Sequence, residues 1–120
     1  MVRLVHYEDV EPYITKDGSV IRELMHPSVH GNRGASVAEA IVEPGRSTRL
    51  HRHLTSEEIY HITQGKGVMR LGGERFEVKT GDTVLIEPGV EHMIENRSEI
   101  PLRILCISYP AYSHQDTQLL

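Results

Sequence analysis

Proline and glycine interrupt this sequence at short intervals outside residues 46–64, and the nearest run with helical periodicity, Val37 to Val42, is ended early by Pro44-Gly45. The pieces they leave are short, rich in Val, Ile, Tyr and Thr, and bounded by turn residues, which is how strands read. Tyr13-Ile14 and Val20-Ile21 flank a Lys16-Asp17-Gly18 turn, and the second arm runs on through Met25 until His26-Pro27 stops it. Residues 26–34 read as a loop, and 35–43 as a strand that ends at Pro44-Gly45. The arms 68–71 and 74–78 bracket Gly72-Gly73, a two-residue hairpin signal. Residues 83–86, 92–95 and 102–108 follow as further β segments. About ten short strands joined by tight turns predict an all-β sandwich or small barrel. The tail from Pro110 to Leu120 is polar until its last two residues, and it reads either as a segment packed on a neighbouring sheet or as a frayed end.

With 120 residues the chain is expected to form one domain, 1–120, around a single core. A hydrophobic share of 38% and a charged share of 25% fit an ordinary folded protein and exclude a disordered one. No apolar run approaches the roughly 20 residues that span a bilayer, so no membrane partner is expected. A net charge of −4 argues against a nucleic-acid surface. Cys106 is unpaired and the N-terminus lacks the apolar segment of a secretory signal, so a cytoplasmic location is expected. Eight histidines are the compositional anomaly, and they direct attention to two segments.

The first runs from Gly45 to Gly65 and holds His51 and His53. Side chains two apart on a strand point to the same face, so this pair can address one point in space. Glu58 opens the following β-prone run, beyond a polar break. The second segment, Gly81 to Asn96, places His92 at a strand start after Pro88-Gly89. Three imidazoles and a carboxylate form a donor set that suits Mn, Fe, Co, Ni or Zn, and four ligands on an ion that accepts six leave positions for a substrate.

These two segments resemble the motifs of the cupin superfamily. Gly45, His51, His53, Glu58 and Gly65 meet every term of G(X)5HXH(X)3–4E(X)6G, and Glu57 would break the final spacing. Gly81, Gly89, His92 and Asn96 meet G(X)5PXG(X)2H(X)3N, in which Glu87, followed by Pro88, stands where proline is usual. The resemblance implies a double-stranded β-helix, or jelly-roll barrel, with one divalent metal inside it, manganese foremost, held by His51, His53, Glu58 and His92. It also implies a homodimer.

Arg49 has the parity of His51 and His53, and two readings stand side by side: on an uninterrupted strand it faces the same interior and clamps a carboxylate, or it lies solvated at the barrel mouth. Tyr60 shares a face with Glu58 and is a candidate hydrogen-bond donor or acid. Glu23 and Glu87 are the carboxylates expected to transfer protons. Asn96 reads as a turn stabiliser, Cys106 as a buried inert thiol, and His26 and His30 as loop residues near the barrel mouth. Resemblance to oxalate-decarboxylase-like cupins implies a small anionic substrate such as an oxalate-like diacid, with decarboxylase or dioxygenase chemistry. A phosphomannose-isomerase-like enzyme and a non-catalytic ligand-binding module are the other readings.

Overall fold

A computed structural model describes residues 2–120 of the chain. Eleven strands form two antiparallel sheets: β1 Tyr13–Ile14, β2 Val20–Met25, β3 Ser36–Val42, β4 His51–His53, β5 Glu57–Gln64, β6 Lys66–Leu71, β7 Glu74–Lys79, β8 Thr83–Ile86, β9 His92–Glu95, β10 Leu102–Tyr109 and β11 Thr117–Leu119. One sheet has the order β1-β2-β3-β10-β5-β8 and the other β11-β4-β9-β6-β7. This is the all-β jelly-roll architecture expected from the cupin-like segments. The strands at 13–14, 20–25, 83–86 and 92–95 stand where the turn signals put them. Gly72, at φ +57°, makes the tight turn between β6 and β7.

Strand alternation turns one face of each sheet inward. Across β3, β10 and β5 the register stacks inward residues into rows: Val42 beside Leu102, Ala40 beside Ile104 beside Ile62, Ala38 beside Cys106 beside Tyr60, and Ser36 beside Ser108 beside Glu58. Read along the strands, these rows run from large and apolar to small and polar. At the first end Ile62, Met69, Ile94, Leu102 and Ile104 are almost wholly buried and fill the barrel. Each such side chain contributes about 1.5–3 kcal/mol by leaving water. At the other end small and polar side chains leave space, and a cavity of about 40 Å³ remains there. By volume it holds about three water-sized groups.

Two segments depart from the expectation. Residues 26–34 contain a short helix, Pro27–His30, capped by the His26 side chain, which accepts from the Ser28 amide. Proline at its first turn and Gly31 at φ +79° after it are the helix signals that a loop reading passes over. The tail is neither frayed nor set on another sheet from outside: Thr117–Leu119 forms β11 and pairs with the histidine-bearing strand β4.

Candidate metal centre

His51 and His53 are buried on β4 while Arg52 between them faces outward. β4 pairs with β9 at His51 and His92, which brings the rings of these two residues to 4.2 Å between centroids. One nitrogen from each of His51, His53 and His92 lies within 4.8 Å of the others, so the three can hold a metal ion. Glu58 reaches the same point from the opposite sheet. Its Oε1 lies 3.1 Å from His53 Nε2 and 3.5 Å from His92 Nε2. All four side chains are buried, His92 completely.

The far side of each ring fixes which nitrogen is free. His51 Nδ1 donates to the Arg49 carbonyl at 2.7 Å, and His92 Nδ1 donates to the Val90 carbonyl at 3.0 Å. His53 Nδ1 meets Thr117 Oγ1 at 3.0 Å. The Thr117 hydroxyl spends its own proton on the Ser113 carbonyl, so here too the imidazole donates. With every Nδ1 proton engaged, each Nε2 is the atom aimed at the common point. His92 Nε2 is buried and has no hydrogen-bond partner among the described residues. An orphaned nitrogen of this kind costs about 1–3 kcal/mol, which coordination would recover. The residues present therefore fit a divalent transition metal.

Electrostatics in this pocket are dominated by the contest between burial and pairing. Burial works to raise the Glu58 carboxyl, but the adjacent His53 and His92 imidazoles outweigh it and hold the group down at about 2. Burial works to lower His53, and the adjacent Glu58 reverses this, so its net shift is upward. His51 is lowered, first by burial and then by the neighbouring His92.

The four residues expected to do chemistry separate into two pairs. Tyr60 and Glu23 line the cavity. Burial, followed by the nearby Glu58 charge, pushes the Tyr60 hydroxyl well up, so it stays protonated. Glu23 accepts the Tyr13 hydroxyl at 2.8 Å through Oε1, while its buried Oε2 has no partner. Arg49 and Glu87, by contrast, are exposed and outside the cavity lining. The inward parity expected of Arg49 fails because β4 begins at His51. The Arg49 amide is tied to the Asp17 carbonyl at 2.7 Å, in an irregular segment where alternation does not carry over. Glu87 sits in the turn before Val90, with its carbonyl accepting the Val90 amide and its side chain exposed.

Two residues of the centre escaped the sequence reading. Asp17 looked like a hairpin-turn residue, yet it is buried with Oδ2 3.6 Å from His51 Nε2. Its Oδ1 accepts from the Ser19 amide and hydroxyl, an Asp-x-Ser signal that was present but is common in turns. Thr117 lay in the tail, with nothing in the sequence to link it to His53. Among the loop histidines, His26 donates to the Tyr112 carbonyl at 2.7 Å, and Tyr112 itself lines the cavity.

Comparison with known proteins agrees with this geometry. The family model of the cupin domain matches residues 38–108. The chain is 57% identical to an uncharacterized protein of Methanocaldococcus jannaschii, over 95% of this chain and 91% of that protein. It is 34% identical to an oxalate-binding protein of Thermotoga maritima, over 72% of this chain and 67% of the relative. The crystal structure of a predicted oxalate decarboxylase from Thermotoga maritima superposes with a TM-score of 0.78 at 26% identity, covering 89% of this chain and 98% of that one. No helix among the described residues is long and apolar enough to cross a membrane. A barrel with converging histidines on β4 and β9, matched by the family model over its central strands, makes this chain a member of the cupin family.

Proposed function

We propose that the chain is an enzyme in which His51, His53, His92 and Glu58 hold one divalent metal, manganese foremost, and a small oxygen-bearing ligand completes the metal's shell. The observation that carries this reading is the convergence of three Nε2 atoms whose Nδ1 protons are all engaged elsewhere. When bound, the ion supplies Lewis-acid polarisation of a ligand oxygen. Glu58 reaches the centre from the facing sheet, and its carboxyl, held down at about 2, is an anionic donor at neutral pH.

Similarity to the oxalate-binding protein of Thermotoga maritima supports a small carboxylate as the ligand class. Decarboxylase chemistry needs a proton, and the cavity narrows its source. Tyr60, held protonated by burial, is taken as a hydrogen-bond donor to the ligand, and Glu23, whose Oε2 is buried without a partner, as the proton-transfer group. Among the described residues no Lys or Arg lines the cavity, so the chain offers no cationic clamp for a second carboxylate or a phosphate. That observation weighs against a phosphosugar isomerase.

A turnover panel on the manganese-loaded protein tests the proposal, with oxalate, hydroxy-carbonyl compounds and sugar phosphates as substrates. Turnover that disappears in His92→Ala is expected. Saturable binding without turnover of any member would reduce the protein to a ligand-binding module.

We further propose that two copies pair through the outward face of the larger sheet. Leu85, Ile59, Ile107, Val37 and Met25 stand in register across it as one apolar row. None of the five is buried in the single chain.

A further inference from the structure

Asp17 lies in the turn between β1 and β2, and it grips His51 from both ends of the ring. Its backbone carbonyl accepts the Arg49 amide at 2.7 Å, and the Arg49 carbonyl in turn accepts His51 Nδ1 at 2.7 Å. Its side chain reaches the other nitrogen, with Oδ2 3.6 Å from His51 Nε2. Oδ1 accepts from the Ser19 amide at 2.9 Å and from the Ser19 hydroxyl at 2.7 Å, which fixes the carboxylate. Asp17 is 8% exposed and lines the cavity.

What faces Oδ2 is a second acceptor. With its Nδ1 proton engaged, His51 presents a lone pair at Nε2, and an ionised carboxylate can only accept. A separation of 3.6 Å is also too long for a hydrogen bond. Such a pair is stable in a buried pocket when a cation serves the nitrogen and a proton donor serves the oxygen. Neighbouring atoms of one ligated ion meet both demands. Donors at right angles on a divalent ion, each about 2.1 Å from it, stand about 3 Å apart. An oxygen bound beside His51 Nε2 and hydrogen-bonded to Oδ2 at about 2.7 Å closes a triangle whose third side is the observed 3.6 Å. A hydroxyl suits that place because it brings the proton with it.

We infer that the ligand is a small α-hydroxy carboxylate, whose carboxylate and hydroxyl oxygens complete the metal's shell and whose hydroxyl donates to Asp17 Oδ2. This rests on the metal-centred, small-carboxylate reading and narrows it. Asp17 thereby sets specificity, through a proton that only the hydroxyl carries.

Calorimetric titration at neutral pH with glycolate and with methoxyacetate tests this, on manganese-loaded wild type and Asp17→Asn. Methoxyacetate keeps the second oxygen of glycolate and lacks its proton. Wild type is expected to bind glycolate about tenfold more tightly, the worth of one hydrogen bond to a charged group. Asp17→Asn keeps an oxygen for the Ser19 bonds and turns an amide N–H2 toward the ligand, so the preference for glycolate is expected to vanish. A variant that merely misfolds would weaken both ligands alike, and unfolding curves identify it; the wild-type comparison then decides alone. Equal binding of the two ligands by metal-loaded wild type, binding of neither, or a full glycolate preference in folded, metal-loaded Asp17→Asn would overturn the inference. Metal content measured on the same samples separates the two claims. A wild type that takes up no stoichiometric metal overturns the metal-centred reading and this inference with it, whereas a loaded wild type without the preference overturns the inference alone.

Discussion

Thr117 never approaches the point where the three Nε2 atoms meet, yet it decides how His53 presents its nitrogen. Its hydroxyl accepts from Nδ1 at 3.0 Å because its own proton is committed to Ser113. Thr117→Val keeps the shape and removes the acceptor. Metal affinity is expected to fall about 10–100-fold, as is usual for groups that orient a ligating histidine, and a competitive chelator titration measures it. Asn96 is a contrasting case. It is completely buried, donates to the Val42 and Ile100 carbonyls, and accepts from the Ser98 amide and hydroxyl. Asn96→Ala is expected to cost roughly 3 kcal/mol in chemical denaturation while leaving metal stoichiometry unchanged. Within each motif the spacing is local, so the shared face of His51 and His53 and the turn role of Asn96 were legible in the sequence. Thr117 was illegible for the opposite reason: its partner is 64 residues away in the chain.

At the scale of elements, the link between β4 and β5 carries the chain from His53 to Glu58 and is pinned from the tail. Asp116 accepts from the Thr55 amide and hydroxyl and from the Ser56 amide. Burial works to raise the Asp116 carboxyl, but these hydrogen bonds outweigh it and the group sits below its usual range. A carboxyl depressed in the folded state contributes stability that is complete above its unfolded value of about 4 and fades as pH falls below it. Metal-free wild type is therefore expected to lose more stability than Asp116→Asn between about pH 6 and pH 3, followed by thermal unfolding. Parallel curves would contradict the pinning role. Strand positions were readable from alternation and turn residues, down to the Gly72 turn. Alternation misled only where it was extended past a strand's end, at Arg49. It was silent on β11, whose Thr-Gln-Leu has no strand signature until β4 lies beside it.

The whole molecule divides its interior along the strands, from a packed apolar end to a polar end that holds the histidines. The outer surface divides as well, since the larger sheet carries its apolar row outward. Ile107 is central in that row, flanked in register by Ile59 and Val37. Ile107→Glu is expected to convert a dimer to a monomer in light scattering, whereas a wild type that is already monomeric at micromolar concentration would contradict the pairing. The central claim concerns the inner end, and the metal content of the purified protein tests it most directly. Elemental analysis of wild type and His92→Ala at neutral pH is expected to find one divalent ion per chain in the first and a large loss in the second. A wild type that takes up no stoichiometric metal, or a His92→Ala variant that keeps it undiminished, would contradict the account.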